Sequence, residues 1–372
     1  MSSVTAGRDL APRVRLERRL QVDPRRAALM RIGGVVVALL AAGLALAVTG
    51  RPALSLAGKA VTSTFGERLG LEQTAIIATP ILLDAIAVAV SLRMRLWNIG
   101  VEGQFYMGAW AAAGVGIYVD APAPLLLVLM ALAGAVGGAL WIAVPAIARA
   151  YWNVNEIITT LLLNFVAVTW VEWFSIDLWR DREAEVIQAT PLVGARLPDL
   201  FGSTVLHVGF LLPLLLAAFF WVVFRYGRWG YEVDMIGGNP RAAGFAGIRV
   251  RRRIVAVMLI SGAIAGISGM VHLAGATGRL QGTISNGYGL SGFIVAALAG
   301  ASFLGLVVGG LFIALLLHSG IVLQTSGLSV YIVVAVYGVV LVGIAVAEMA
   351  ARYRLVIGRR PSAAPGAERA PP

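Results

Sequence analysis

The segment PLLLVLMALAGAVGGALWIAVPAI, residues 124–147, contains no charged side chain. A transmembrane helix needs about 20 consecutive apolar residues, so this segment is long enough to cross the hydrocarbon core of a bilayer. The rest of the chain has the same character, because 59% of its 372 residues are hydrophobic and only 13% are charged. Soluble domains carry about 25% charged residues, so the sequence predicts an integral membrane protein.

The same criterion of length and polarity identifies further spans on both sides of this segment. The full spans are Ile32–Thr49, Ala75–Leu92, Phe105–Val119, Pro124–Ile147, Ile157–Trp179, Leu206–Phe224, Ile254–Ala274 and Ser329–Ala347. The stretch Leu290–Leu323 is too long for one span and too short for two, and Gly300–Gly305 interrupts it, so we expect a short helix followed by a full span. Broken membrane helices line cavities or are buried by protein. The predicted fold is an all-α integral membrane protein with about ten transmembrane helices, some of them short or broken.

The distribution of basic residues predicts the orientation and organisation of the chain. Most of the 30 Lys and Arg residues fall on the side of the N-terminus, so both termini are expected to be cytoplasmic. The predicted parts are a basic extension at 1–31, a transmembrane domain at 32–350 with its longest cytoplasmic loop at 225–253, and a partly disordered tail at 351–372. The first apolar run ends like a signal peptide, in Ala45-Leu46-Ala47, but its length favours an uncleaved helix.

The composition excludes several kinds of chemistry. The absence of cysteine excludes thiolate metal sites and thiol nucleophiles. The only lysine, Lys59, lies outside any G-x-x-x-x-G-K-[ST] sequence, so the chain has no P-loop for ATP hydrolysis. His207, His272 and His318 are far apart in sequence, and no metal site is expected. The net charge of +11 comes from arginines between apolar segments, which is typical of membrane anchoring and not of nucleic-acid binding.

A polar segment, LWNIGVEGQF at residues 96–105, interrupts the apolar pattern. Its polar and glycine positions are Asn98, Gly100, Glu102, Gly103 and Gln104. Glycine permits close approach of another backbone, and a glutamate at a helix start caps free N–H groups. The structural interpretation of the segment is a capped turn. The functional hypothesis is a gate or an element that lines the solute pathway.

A second polar cluster opens the fifth full span. Asn155 is a good N-cap and Glu156 suits the first helical turn, whereas Asn164 lies about two turns further on. A buried amide in a membrane helix needs a partner across a helix interface or a ligand.

Asp84 and Glu172 are carboxylates inside spans, and each costs about 2.5 to 3.5 kcal/mol at a helix centre unless it is paired or hydrated. A pathway role and a structural hydrogen bond are both open for these two.

The longest loop contains GGNPRAAGFAGI, residues 237–248. Asn239 before Pro240 is a helix-start signal, and Gly247 is a stop signal. We expect a short cytoplasmic helix between two membrane spans. Its alanine and glycine face is poor for insertion into lipid and suits docking into a protein groove.

Three motifs carry a resemblance to a known family. They are NIGVEGQ at Asn98–Gln104, NEIITTLLLN at Asn155–Asn164 and GNPRAAGFAGI at Gly238–Ile248. From about Thr74 to Ala350 the chain resembles the permease subunits of ATP-binding-cassette importers, in the family that includes the ribose and branched-chain amino acid systems. Within it, the chain is most similar to nucleoside importers that receive solute from a basic-membrane-protein-type lipoprotein. Asp84 and Ser291-Gly292-Phe293 depart from the family pattern.

The resemblance implies a non-catalytic, multi-pass subunit of the bacterial inner membrane that pairs with a second, similar permease or with itself. ATPase subunits on the cytoplasmic face would bind ATP and Mg²⁺, so this chain would hold no cofactor of its own. An extracytoplasmic lipoprotein would dock chiefly on the loop Arg180–Thr204. The residues implied in coupling to the ATPase are Gly238, Asn239, Pro240, Arg241, Ala242, Ala243 and Gly247.

A pathway for nucleosides needs amides and aromatic faces that can contact a base. The pathway or gate candidates are Asn98, Gly100, Glu102, Gly103, Gln104, Asn155, Glu156 and Asn164. The candidates for stacking on a base are Trp97, Phe105 and Phe165. Sugars such as ribose and branched-chain amino acids stay open as solutes, and an ion-coupled secondary transporter is the alternative from another class.

Overall fold

The computed structural model describes residues 13–18, 24–183, 188–200, 202, 205–300 and 302–358. The predicted disorder at 361–372, the start of the N-terminal extension and parts of the 180–204 loop lie outside the described residues. The strands are β1 (Arg13–Arg18) and β2 (Tyr353–Gly358). The helices are α1 (Pro24–Val48), α2 (Ala53–Phe65), α3 (Arg68–Leu92), α4 (Val101–Tyr118), α5 (Ala123–Trp152), α6 (Glu156–Trp173), α7 (Leu211–Tyr226), α8 (Arg228–Gly238), α9 (Pro240–Phe245), α10 (Val250–His272), α11 (Tyr288–Ala299), α12 (Phe303–Thr325) and α13 (Val330–Arg352).

The chain forms two compact units, residues 1–57 with 328–372, and residues 58–327. In the first unit α1 packs antiparallel against α13 through small residues. Gly34 lies against Ala347, and Ala38 lies against Gly343. Small side chains let helix backbones approach closely in a membrane, so these positions define the packing of the two helices.

A two-stranded antiparallel sheet in the first unit departs from the predicted all-α fold. β1 pairs with β2, from Arg13 opposite Gly358 to Arg18 opposite Tyr353. The sequence RVRLER alternates charged and apolar residues, which is the period of a strand. The partner strand comes from the opposite end of the chain, so the local sequence pattern did not predict the pairing. The sequence prediction assigned residues 353–358 to the tail.

α3 is the central helix of the second unit and packs against α7, α10, α11 and α12. In its membrane-spanning window, 89% of the residues are buried. A helix that is apolar on all sides is typical of such an enclosed position. Asp84 is a polar exception in its interior, and it is wholly buried as well.

Glycines bring α4, α5 and α10 into backbone contact. A Cβ at Gly262 would lie 2.6 Å from the Gly138 carbonyl oxygen, and Gly266 lies directly against Gly134 and Gly108. Gly262 and Gly266 are four residues apart, a spacing of small residues that is typical of close helix packing in membranes.

Seven helices among the described residues are long and apolar enough to cross a membrane. They are Arg68–Leu92, Ala123–Trp152, Glu156–Leu178, Val208–Tyr226, Val250–Thr277, Phe303–Thr325 and Val330–Ala351. Ile32–Val48 and Tyr288–Ala299 are shorter apolar helices. The predicted span Phe105–Val119 corresponds to α4, which is not among the seven because Glu102, Gln104 and several glycines lower its hydropathy. The multi-pass helical fold is confirmed, and a count of about ten needs α1, α4 and α11 to enter the membrane as well.

The predicted break between a short helix and a full span is present. α11 ends before Gly300, which has φ +62°. Ser302 then caps α12, because its hydroxyl accepts a hydrogen bond from the Gly305 backbone N–H at 3.1 Å. The left-handed backbone at Gly300 suits glycine, which has no Cβ to clash there.

The glycine contacts give a test of the packing. We expect Gly266→Ala to lower the free energy of unfolding by about 1 to 3 kcal/mol, since an added methyl group overpacks a closed interface. Gly338→Ala on α13 is the matched control, because its Cβ would meet no atom within 4 Å. Thermal unfolding of both purified variants in detergent measures the effect. Equal melting temperatures for Gly266→Ala and the wild type would contradict the packing.

Candidate functional site

The two polar clusters of the sequence meet where α4 and α6 begin. The Asn164 side-chain oxygen accepts a hydrogen bond from the Gly103 N–H at 2.8 Å, and its Nδ2 donates to the Ile99 carbonyl at 2.9 Å. A helix start leaves backbone groups without intrahelical partners, and a membrane offers no water to satisfy them. Asn164 therefore has a partner across a helix interface, as one of the two sequence hypotheses required.

Asn98 and Gln104 form a reciprocal amide pair across the same bend. Each side chain donates to the other at 2.8 Å. Asn98 also donates to the Ser261 hydroxyl at 2.9 Å, which donates to the Ala87 carbonyl at 2.6 Å. The network joins the bend to α3 and α10, and a fully satisfied buried network of this kind makes its surroundings rigid.

Glu156 connects α6 to the neighbouring segments. Its carboxylate lies 3.2 Å from Arg149 Nε and accepts a hydrogen bond from the Trp97 N–H at 3.4 Å. Asn155 caps α6 by accepting a hydrogen bond from the Ile157 N–H at 2.9 Å, as the sequence predicted. Both residues therefore hold the start of α6 in place.

Gly100 and Gly103 are points of close approach between the bend and α6. A Cβ at Gly100 would lie 2.7 Å from the Thr160 Cβ. A Cβ at Gly103 would lie 2.9 Å from the Asn164 amide oxygen. A larger residue at either position would push α6 away from the bend, which explains why the motif needs glycine here.

Glu102 caps a different helix from the one in which it lies. Its Oε2 accepts a hydrogen bond from the Leu290 N–H, in the first turn of α11, at 3.0 Å. Gly289 allows this approach, since a Cβ there would lie 2.6 Å from the Glu102 Cα. A carboxylate at a helix N-terminus is stabilised by the helix dipole. The sequence predicted a local cap, and the structure places the contact on the short helix α11 instead.

The two carboxylates inside spans have opposite environments. Asp84 is wholly buried, and among the described residues neither of its oxygens has a hydrogen-bond partner. It lies against Gly292 of α11. Glu172 is exposed near the end of α6 and lies beside Gly282. Asp84 is therefore the one of the two whose burial needs an explanation.

The three aromatic candidates lie in different surroundings. Phe105 is fully buried, and its ring centroid is 6.0 Å from that of His272. Trp97 is half exposed and lies 6.0 Å from Phe293. Phe165 is 67% exposed and lies in a groove on the outer face of α6. Adjacent residues of a helix point in different directions, so Phe165 points outward because Asn164 points inward. Phe165 thus points away from the bend, and its contact with a base stays a prediction.

The predicted short helix between two spans is α9. Asn239 caps it by accepting hydrogen bonds from the Arg241 N–H at 3.0 Å and the Ala242 N–H at 3.2 Å. Gly247 follows the helix with φ +82°. The start and stop signals in the sequence are therefore confirmed.

One coupling candidate faces inward. The other six coupling candidates are exposed, namely Gly238, Asn239, Pro240, Arg241, Ala242 and Gly247. Ala243 is fully buried, so it packs α9 onto its own chain, and the contact of this segment with an ATPase stays a prediction. Phe245, which the sequence analysis did not select, is 94% exposed at the end of the helix.

α8 joins this exposed helix to the end of α3. Gly237 lies against the Arg93 carbonyl, and Arg93 Nη1 is 3.4 Å from Asp234 Oδ2. Partial burial raises the pKa of the Asp234 carboxyl, and the neighbouring Arg93 guanidinium acts in the opposite direction. These contacts connect α9 mechanically to the central helix.

Several partners in the site were missed from the sequence. Ser261 precedes the packing residue Gly262, and a polar residue beside such a glycine was the available signal. Arg149 lies at the charged end of its span, shortly before Glu156, and the opposite charges were a second signal. No local pattern indicated that the N-terminus of α11 would rest on Glu102, because the two segments are far apart in sequence.

Comparison with known proteins defines the family. The family described as the branched-chain amino acid transport system permease component matches residues 70–345, which include all three motifs. The chain belongs to this family. It is therefore a membrane component of a transport system rather than a catalytic enzyme.

The chain is also similar to individual permeases. It is 33% identical over 366 residues to the glucose ABC transporter permease protein TsgB13 of Haloferax volcanii, covering 93% of this chain and 96% of the relative. It is 32% identical to the guanosine ABC transporter permease protein NupP of Bacillus subtilis, covering 73% and 80%. It is 28% identical to the nucleoside ABC transporter permease protein NupB of Lactococcus lactis, covering 71% and 74%. No solved structure matches the chain significantly.

The bend can be tested through Asn164. We expect Asn164→Leu to lower the free energy of unfolding by about 1 to 3 kcal/mol, because it leaves the Gly103 N–H and the Ile99 carbonyl unpaired. Thr169→Val is the matched control on α6, since Thr169 is exposed and donates to the Phe165 carbonyl of its own helix at 3.0 Å. Thermal unfolding in detergent separates the two. A variant Asn164→Leu as stable as Thr169→Val would show that the bend does not depend on this amide.

Proposed function

We propose that the chain is a transmembrane subunit of an ATP-binding-cassette importer for nucleosides. The observation that carries the importer assignment is α9, a capped and exposed helix between two membrane spans within a chain of this permease family. The names of NupP and NupB, guanosine and nucleoside permeases, support nucleosides as the solute.

Sugars are the second candidate, on a specific observation. TsgB13 is named as a glucose permease, and its similarity extends over nearly the whole of both chains. Nucleosides and sugars share the chemistry that a pathway would recognise, since both are uncharged and rich in hydroxyl groups. Branched-chain amino acids carry two opposite charges and need a different set of contacts.

The proposed topology has about ten membrane helices and places both termini in the cytoplasm of a bacterial cell. The seven long helices cross the membrane, α1 crosses as well, and α4 and α11 enter it as shorter elements. In this arrangement α8 and α9 lie on the cytoplasmic face. The parts of the chain are the basic extension at 1–31, the permease domain at 32–350 and the tail at 351–372.

The proposed partners occupy opposite faces of the membrane. ATPase subunits, which bind ATP and Mg²⁺, receive α9 on the cytoplasmic side, and a second permease chain completes the dimer. A lipoprotein delivers solute to the outer loop, part of which Arg196 fixes in place. The Arg196 guanidinium donates hydrogen bonds to the carbonyls of Ala274, Gly275 and Ala276 at 3.0, 3.2 and 3.3 Å.

The proposed mechanism is alternating access driven through α9. Movement of the ATPase subunits shifts α9, and α8 passes the displacement to α3 through the Arg93–Asp234 ion pair. α3 contacts α11, which Glu102 joins to α4. The short helix α11, which ends at the break at Gly300, can therefore move relative to the bend at Asn98–Gln104 and open a central path.

Uptake measurements test the proposed function. Cells with and without the gene are compared for uptake of radiolabelled guanosine and cytidine, with glucose, ribose and leucine alongside. We expect nucleoside uptake to require the gene and to stop when ATP is depleted. If the gene is required for uptake of a sugar instead, the assigned solute changes from a nucleoside to that sugar. If uptake depends on an ion gradient rather than on ATP, the assignment as an ATP-binding-cassette importer is wrong.

Phe245 provides a test of coupling. We expect Phe245→Ala to reduce gene-dependent uptake by about tenfold or more, since exposed aromatic anchors contribute about 2 kcal/mol or more to an interface. Tyr331→Ala is the matched control, because Tyr331 is 86% exposed at the start of α13, outside the α8–α9 segment. Membrane levels of both variants are measured by immunoblot. Normal uptake with Phe245→Ala would show that Phe245 does not contribute to the contact with the ATPase.

A further inference from the structure

The carboxylate of Asp84 is wholly buried in the second unit, and Ser268 of the facing helix α10 lies beside it. It lies in the interior of α3 with no exposed surface, and among the described residues both of its oxygens are without a hydrogen-bond partner. Ser268, on the facing helix α10, donates its hydroxyl to the Pro80 carbonyl at 3.2 Å. Ionisable groups inside a membrane are expensive, so an unpartnered one points to a ligand.

The face of α3 that carries Asp84 is covered by α11. A Cβ at Gly292 would lie 2.7 Å from the Asp84 Cβ and 2.8 Å from the Ala85 nitrogen. Glu102 meets the same helix one half-turn earlier, at the Leu290 N–H. Two carboxylates from two different helices therefore flank the first turns of one short helix.

Residues with left-handed backbone lie at both ends of α11. Asn286 and Gly287 precede it with φ +49° and +79°, and Gly300 follows it with φ +62°. The helix itself has 12 residues and is apolar apart from Tyr288 and Ser291. A short rigid segment between two such points can rotate as a body, because a few residues absorb the change in backbone angle.

We propose that Asp84 is a solute-contacting residue, exposed to the pathway when α11 moves away from α3, with Glu102 as a second hydrogen-bond acceptor beside it. This inference rests on the proposed function. The two acceptors fit an uncharged solute that offers O–H or N–H donors, such as a nucleoside or a sugar.

The test uses the whole importer, purified through this chain with its ATPase and binding protein and placed in proteoliposomes. Solute uptake and ATP hydrolysis are measured together for Asp84→Asn and Asp84→Leu. The matched control is Thr79→Val, because Thr79 is equally buried on the same helix and donates to the Ala75 carbonyl at 2.8 Å. The solute is guanosine, or glucose if the wild type carries sugars.

We expect Asp84→Asn to reduce the amount of solute carried per ATP at least fivefold, while ATP hydrolysis stays within about twofold of the wild type. Thermal unfolding should occur at an unchanged or higher temperature, because the variant removes an unpartnered buried carboxyl group. Thr79→Val should leave the amount of solute carried per ATP unchanged. If uptake, hydrolysis and melting temperature all fall together in both Asp84 variants, the residue is structural and the proposal is overturned.

A second measurement identifies the contact itself. The wild type should prefer the solute over an analogue lacking one hydroxyl, by about tenfold for at least one position, because an unmatched acceptor disfavours the analogue. Asp84→Leu should lose most of that preference, because leucine offers no hydrogen-bond acceptor. If the Asp84 variants keep both the preference for the solute over its analogue and the amount of solute carried per ATP, the inference is overturned. The proposed function stays intact in that case. A wild type that carries leucine and neither nucleosides nor sugars overturns the proposed function itself.

Discussion

Backbone hydrogen bonding inside the membrane is the constraint on which the arrangement of the second unit depends. Where a helix begins or breaks at membrane depth, its free N–H and C=O groups find no water, and protein groups must replace it. Asn164 does this for the bend before α4, and Glu102 does it for the start of α11. The polar residues that interrupt the apolar pattern are therefore those that allow irregular backbone to exist there.

These contacts also determine which elements stay together. Asn98, Gln104 and Ser261 join the bend to α3 and α10. Glycines bring α4, α5 and α10 into direct backbone contact, so this part of the unit resists deformation. α11, by contrast, lies between two points of left-handed backbone and covers an unpartnered carboxyl group. The structure thus combines a rigid frame with one short element placed to move against it.

Sequence reasoning was most successful where the signal is local. The caps at Asn155 and Asn239 and the break at Gly300 each depend on a few neighbouring residues, and each was predicted. The pairing of β1 with β2 and the contact of Glu102 with α11 join distant segments, which no local pattern specifies. Ala243 and Phe245 show the same limit, since only the packing of α9 decides which side chain faces outward.

The most direct test of the account asks whether α11 uncovers α3 during transport. The chain has no cysteine, so Asp84→Cys places its only thiol at a wholly buried position. Membrane vesicles containing the importer are treated with a small, membrane-impermeant thiol reagent at rest and during ATP turnover with loaded binding protein. If α11 uncovers α3 during transport, labelling is slow at rest and increases severalfold during turnover. A thiol that stays unreactive in every state would contradict it.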